Sequence, residues 1–168
     1  MAATVSIKEV NGASPGTANT ITNLRHCTSD TYNPGTSYPI PRPSSGTKRG
    51  YWKTIYLNAD TTPDGTINNV KFYCDGSIDW TGCTLYVGTT DTYTQATGTE
   101  GNTGDDSTVA TTDITTYTSD SPLSVNGSIS NPDTGKITDY VILQLDVTSS
   151  APIGLLSQET LTFQYDET

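Results

Sequence analysis

Of histidine and methionine the 168-residue chain has one each, of phenylalanine two, and of lysine and arginine together only eight. Each scarcity removes a class of explanation. A nucleophile–base pair needs a histidine beside its nucleophile. The lone His26 adjoins Cys27, and successive side chains of an extended strand point to opposite faces. His26 therefore reads as structural. Eight cations against eighteen acids leave a formal charge of −10. The densest basic group is Lys48, Arg49 and Lys53, with Arg42 upstream, which is too small to track a phosphate backbone. No nucleic-acid partner is expected. No apolar run approaches eighteen residues, so no membrane partner is expected either. Gly-x-Ser-x-Gly, His-Glu-x-x-His and phosphate-binding loops are missing.

Cysteine is also sparse. Cys27, Cys74 and Cys83 are an odd number, so they cannot close a disulfide framework, and none forms a Cys-x-x-Cys pair for zinc. Buried thiols are the preferred reading for Cys74 and Cys83, with a disulfide as the alternative. The first ten residues contain Lys8 but no apolar core of a secretory signal. A polar, acidic, Lys-poor chain otherwise looks like one that works outside cells. Three histories reconcile the two: a leader already removed, a signal-independent exit, or a virion protein assembled in the host cytoplasm. The last needs no further assumption, so a virion is the expected location.

What the chain has in excess is threonine, 33 residues, with 16 serines and 10 asparagines. Ala, Leu, Glu, Lys and Gln are too few for long helices. Thr, Tyr, Val and Ile suit pleated, half-buried surfaces. One all-β domain over 1–168 is expected, with Thr alternating on outward strand faces.

Apolar alternation marks strands at 4–10, 20–27, 51–57, 67–74, 83–87, 139–147 and 160–165, with a weak one at 108–118. Val141, Leu143, Leu145 and Val147 should face inward, alternating with Tyr140, Gln144 and Asp146. Turn chemistry at 60–65 and 75–82 suggests that the strand at 67–74 pairs with the next one in sequence. Asn126-Gly127, between Val125 and Ile129, carries a type I′ hairpin signature, which is preferred to the glycosylation reading of Asn126-Gly127-Ser128. Residues 29–47 form a Pro-rich extended stretch and 88–107 a long polar loop. The expected architecture is a two-sheet antiparallel β-sandwich, Ig-like or jelly-roll-like, of eight or nine short strands.

Three patterns invite a chemical reading. Asp60-Thr61-Thr62-Pro63-Asp64-Gly65-Thr66-Ile67-Asn68 begins like a calcium loop, with Asp60 and Asp64 as candidate ligands. Position twelve is Lys71, where a carboxylate should close the site, so a hairpin turn is the better reading. Other acids also sit in turns, where Asp mimics the backbone, so a glycosidase pair has no positive support. Trp80, in a turn, is the candidate for stacking on a sugar ring. No cofactor and no catalytic residue are expected.

The stretch Cys27-Thr28-Ser29-Asp30 … Asn33-Pro34 … Tyr38-Pro39-Ile40-Pro41 … Gly50-Tyr51-Trp52-Lys53 resembles one in uncharacterised structural proteins of tailed bacterial and archaeal viruses. The same holds for Ile67-Asn68-Asn69-Val70-Lys71-Phe72-Tyr73-Cys74-Asp75-Gly76, for Tyr93-Thr94-Gln95-Ala96-Thr97-Gly98-Thr99, and for Thr160-Leu161-Thr162-Phe163-Gln164-Tyr165-Asp166-Glu167. The resemblance implies a β-sandwich virion component, either a capsid decoration protein or a tail or fibre subunit. Its partners would be the major capsid protein, other virion subunits and further copies of itself. The Pro-rich arm supplies candidate contacts at Asn33, Pro34, Tyr38, Pro39, Ile40, Pro41, Arg42 and Pro43, because stiff backbone loses little entropy on docking. A carbohydrate-binding module is the alternative from another class.

Overall fold

The β-branched and aromatic runs extend into strands, and the rigid turns between them redirect the chain from one sheet to another. The protein is described over residues 2–168 by a computed structural model. A large antiparallel sheet has the order β2 (Thr17–Ile21), β1 (Val5–Asn11), β4 (Lys53–Ala59), β13 (Tyr140–Thr148), β6 (Cys83–Thr90), β9 (Thr112–Asp113). Two short strands extend it: β3 (Thr47–Arg49) beside β13 and β12 (Gly135–Lys136) beside β4. The smaller sheet is built on β5 (Thr66–Tyr73), flanked by β14 (Thr162–Glu167) on one side and by β10 (Leu123–Ser124) and β11 (Ile129–Ser130). A hairpin of β7 (Gly98–Thr99) and β8 (Thr103–Gly104) stands apart.

Facing side chains of the two sheets make one apolar core. Ile55 and Leu57 of β4, Leu85 and Val87 of β6, and Val141, Leu143 and Leu145 of β13 pack towards Ile67, Val70 and Phe72 of β5. The Phe72 and Phe163 rings meet at 4.7 Å. An all-β sandwich is therefore the fold, as the sequence suggests. The described residues hold fourteen strands rather than eight or nine, because six of them are only two residues long.

Strand pairing departs from the expected hairpins. The strand β6 does not pair with β5: it lies in the other sheet, hydrogen-bonded to β13 over Tyr140–Val147. Likewise 60–65 is not a hairpin turn, since it carries the chain from β4 in the large sheet to β5 in the small one. The strands either side of Asn126-Gly127 both pair with β5, not with each other. Gly127 has another use. Its backbone, at φ +131°, lies so close to the Ile137 carbonyl that no Cβ fits, and it forms a bridge to Thr138. The expected strand at 20–27 ends at Ile21, so the geometric separation of His26 from Cys27 on a strand does not apply.

The long polar segment 88–107 is not a free arm, for it begins inside β6 and then covers the outer face of the large sheet. Gln144, on that face, is 1% exposed. It accepts a hydrogen bond from the Ser107 amide (2.8 Å) and donates to the Asp105 and Gly50 carbonyls (2.7 and 3.0 Å). Tyr93 donates to the Gly12 carbonyl at 2.6 Å and packs on Tyr140. The large sheet is thus covered on both faces, which is why five consecutive residues, Val141–Leu145, are buried.

Threonine also behaves differently from expectation. Only 13 of the 33 lie in strands. Several others tie irregular chain down: Thr61 accepts from the Thr4 amide, Thr28 donates to the Tyr38 carbonyl at 3.1 Å, and the Thr138 hydroxyl accepts from the Leu57 amide of β4. Short hydroxyl side chains that satisfy loop backbone groups explain the excess better than outward-facing strand positions do.

Candidate functional site

Two unequal sheets cannot cover one another. The large sheet has eight strands and the small one four, and β14 starts only at Thr162. A strip of the large sheet's inner face is therefore left to irregular chain, residues 22–26, 39–40 and 151–161. Coil packs less closely than a second sheet. Beneath it lies a cavity of about 630 Å³, with Ile7, Leu85, Leu143, Leu145 and Val147 among its walls. An empty apolar void costs roughly 24 cal/mol per Å³. This one is open to solvent on one side rather than sealed, so that cost does not apply to it.

The cover over this space has its own chemistry. The segment Ala151-Pro152-Ile153-Gly154-Leu155-Leu156 crosses the cavity with no strand partner. Ala151 is buried and Leu156 packs on the core, but Ile153 is 86% and Leu155 74% exposed. Gly154 between them sits at φ +121°, a conformation that other residues rarely adopt. Among large aliphatic side chains of the described residues, these two alone stand out in solvent; Tyr32 and Tyr38 are the exposed aromatics.

Polar side chains, Thr22, Asn23, Ser157, Gln158 and Thr160 among them, share the cavity lining with the aliphatic ones. His26 is at its wall, and its Nδ1 is buried with no hydrogen-bond partner. Burial, and secondarily the charge of Lys53, lowers its pKa to about 3, so the ring is neutral near pH 7. Cys83 also lines the space, and burial pushes its thiol up from the ordinary value. A thiol so shifted is a weak nucleophile. The charged residues along the wall are Arg25 and Glu159, which cancel. This gives the lining no net formal charge on a chain of net charge −10.

The residues singled out from sequence fall in separate places. Asp60 Oδ1 accepts from Ser6 of β1 at 2.9 Å and Asn58 of β4 at 2.8 Å, and Lys8 Nζ is 3.5 Å away. The Ser6 hydrogen bond, foremost, holds its carboxyl below the usual range. The Asp64 amide donates to Glu167. No cluster of three or more metal-ligating side chains occurs among the described residues, Asp60 and Asp64 included. Trp80 is half-buried, donates from Nε1 to the Ser157 carbonyl at 2.7 Å and forms part of the cavity wall. It is a brace for the cover rather than a free stacking platform.

The Pro-rich arm divides in two. Asn33 and Tyr38 (φ +49° and +53°) belong to an exposed tip whose turn is closed by the Ser37 amide on the Pro34 carbonyl. Beyond it, Pro39 and Ile40 line the cavity, Pro43 is buried and Arg42 reaches the Ala151 carbonyl at 3.4 Å. The base of the arm is thus part of the domain. Sequence reading missed Ile153 and Leu155 altogether. The Pro-Ile-Gly-Leu-Leu run was their only signal, and a run of that length is as common in a core as on a surface. No protein-family model, curated protein or solved structure matches the chain. Nor is any helix among the described residues long and apolar enough to cross a membrane.

Proposed function

We propose that the protein is a non-enzymatic structural component of a virion, a capsid decoration protein that docks on the head lattice and stabilises it. One observation carries the reading: among the described residues the exposed large apolar side chains are confined to two loops, Tyr32 and Tyr38 in one, Ile153 and Leu155 in the other. The frame beneath them is pinned by side-chain hydrogen bonds. A protein that binds an assembled lattice favours the assembled state by linkage, and it needs contact loops on a stiff support rather than catalytic groups. The sequence resemblance to structural proteins of tailed viruses points the same way.

Quantification of the chain on purified particles tests the proposal. Hundreds of copies per particle, lost from particles when Tyr32 and Tyr38 are both changed to Ser, are expected. A few copies at the tail would replace decoration with a tail or fibre role. Absence from particles, together with glycan binding that Trp80→Ala abolishes, would overturn the virion reading.

A further inference from the structure

The cavity beneath the cover is graded in polarity. Its floor is the inner face of the large sheet, where Leu85, Leu143 and Leu145 are all but completely buried. Its exposed rim carries the uncharged polar side chains of Asn23, Gln158 and Thr160. A volume of about 630 Å³ falls in the range that holds a drug-sized molecule, and apolar walls with a few polar groups are the usual lining of such a site. From this grading we infer that the cavity binds a small uncharged amphiphile, with its aliphatic body on the sheet and its hydroxyl-bearing head at the rim.

Three observations single out that chemistry. Leu155 lines the cavity and is nonetheless 74% exposed, so part of the aliphatic wall lacks a contact. An aliphatic body lying on the floor and reaching Leu155 covers it. The second observation is His26, whose Nδ1 is buried at the wall without a hydrogen-bond partner. A buried polar atom left in that state is unusual. The neutral ring presents there either a lone pair or an N–H, and a hydroxyl, which both donates and accepts, satisfies the atom in either tautomer. Charge is the third. Arg25 and Glu159 cancel in the lining, and Glu159 already accepts from the Asp79 amide at 3.1 Å. An anionic head would also have to approach a chain of net charge −10. An uncharged head meets neither cost.

The rim is suited to hold such a head. Gln158 donates to the Asn23 carbonyl at 2.8 Å, which joins the cover to the 22–26 segment, and each amide keeps capacity for a further hydrogen bond. His26 belongs to the same wall segment as Asn23, so one head group has partners on both. The site stands apart from the virion reading: an amphiphile bound by a protein that is absent from particles would sink only the latter.

Monodecanoylglycerol, kept below its micellar concentration, is the probe. Trp80 stands in the cavity wall, so the full chain with Trp52→Phe, which removes the other tryptophan, reports binding by fluorescence. A saturable one-to-one change is expected, with decanoate and decyltrimethylammonium weaker by about tenfold or more. In wild type the probe should also slow the reaction of Cys83 with a thiol reagent, since Cys83 lines the cavity while Cys27 and Cys74 are buried. Leu24→Trp fills the space from a half-buried wall position, and that protection should vanish in it. His26→Leu should weaken the glyceride about tenfold. Circular dichroism checks that each variant is folded. No saturable change with any of the three probes overturns the inference, and so does undiminished protection of Cys83 in Leu24→Trp. Tighter binding of either charged probe overturns the uncharged head. Binding confined to phosphatidylcholine vesicles, with the free glyceride leaving Trp80 unchanged, also overturns it and makes the 151–156 segment a membrane contact.

Discussion

Lys53 Nζ lies 2.9 Å from Glu9 Oε1 on the core-facing side of the large sheet, with 1% and 2% of the two side chains exposed. The register explains how they meet: Glu9 stands opposite Ile55, two residues along β4 from Lys53 and on the same face. The ammonium also donates to the Thr31 carbonyl at 2.9 Å, and Asn11 donates to the same Glu9 oxygen at 3.1 Å. Asn11 and the Gly12 amide in turn donate to Asp30, which also accepts from Gln95. A buried ionic network thus fastens the start of the Pro-rich arm and the long polar segment to the end of the sandwich.

Breaking that pair from one side leaves an uncompensated charge indoors. Lys53→Met should therefore cost about 3–5 kcal/mol of stability in urea unfolding. Adding Glu9→Gln should restore part of the loss, because the stranded carboxylate is then gone. Restoration stays partial, since the Thr31 carbonyl still lacks its donor. A single-variant loss below about 1 kcal/mol would mean that the pair is solvated in solution.

Gln144 makes a sharper test of the outer layer. Gln144→Ala leaves the Ser107 amide and two carbonyls without partners, at about 1–3 kcal/mol for each group that water cannot reach. The expected signature is local: hydrogen exchange of the Ser107 amide should accelerate well beyond that of β13 amides. Equal acceleration in both would show that the polar segment unfolds with the sandwich rather than from it.

How much of this was legible from sequence depends on the length scale. The strands at 51–57, 67–74 and 139–147 follow from alternation, which is a local property, and they fall where expected. Their partners do not follow, because Asp64-Gly65 and Asn126-Gly127 encode a change of direction but not the sheet that comes next. Both glycines are instead where the chain passes tightly against other backbone: Gly65 against Thr168, Gly127 against Ile137. Gln144 looks like a solvent-facing residue until a segment from forty residues earlier covers it. The cavity is least legible of all. It results from the difference in width between two sheets, which no short window contains.

Arg49 offers a pair of predictions with opposite sign. Its Nε lies 3.1 Å from Asp146 Oδ1 and 3.2 Å from Asp106 Oδ1. Burial, the largest effect, raises the Asp146 pKa; Arg49 opposes the rise and Asp106 adds to it. Arg49→Met should raise it further, and Asp106→Asn should lower it, both read by carboxyl-carbon titration in NMR. Movement in the same direction would show that exposure, not charge, controls this carboxyl.

His26 supplies a pH dependence whose sign is fixed by its burial. The folded ring titrates at about 3, against 6.5 for an ordinary histidine. Between these values the unfolded chain binds more protons than the folded one, so stability rises with pH and is lost as pH falls. Above 6.5 the ring is neutral in both states and contributes no slope. Within the window the slope is at most about 1.4 kcal/mol per pH unit, and partial exposure of the residue makes that a ceiling. Carboxylates titrate over the same range, Asp60 and Asp146 with opposite effects, so wild type alone does not isolate the histidine. His26→Leu does. Its stability relative to wild type should grow steadily as pH falls below 6.5 and level off near 3. Parallel stability curves for the two proteins would show that the ring is hydrated in solution, and that the cavity wall at His26 opens to water.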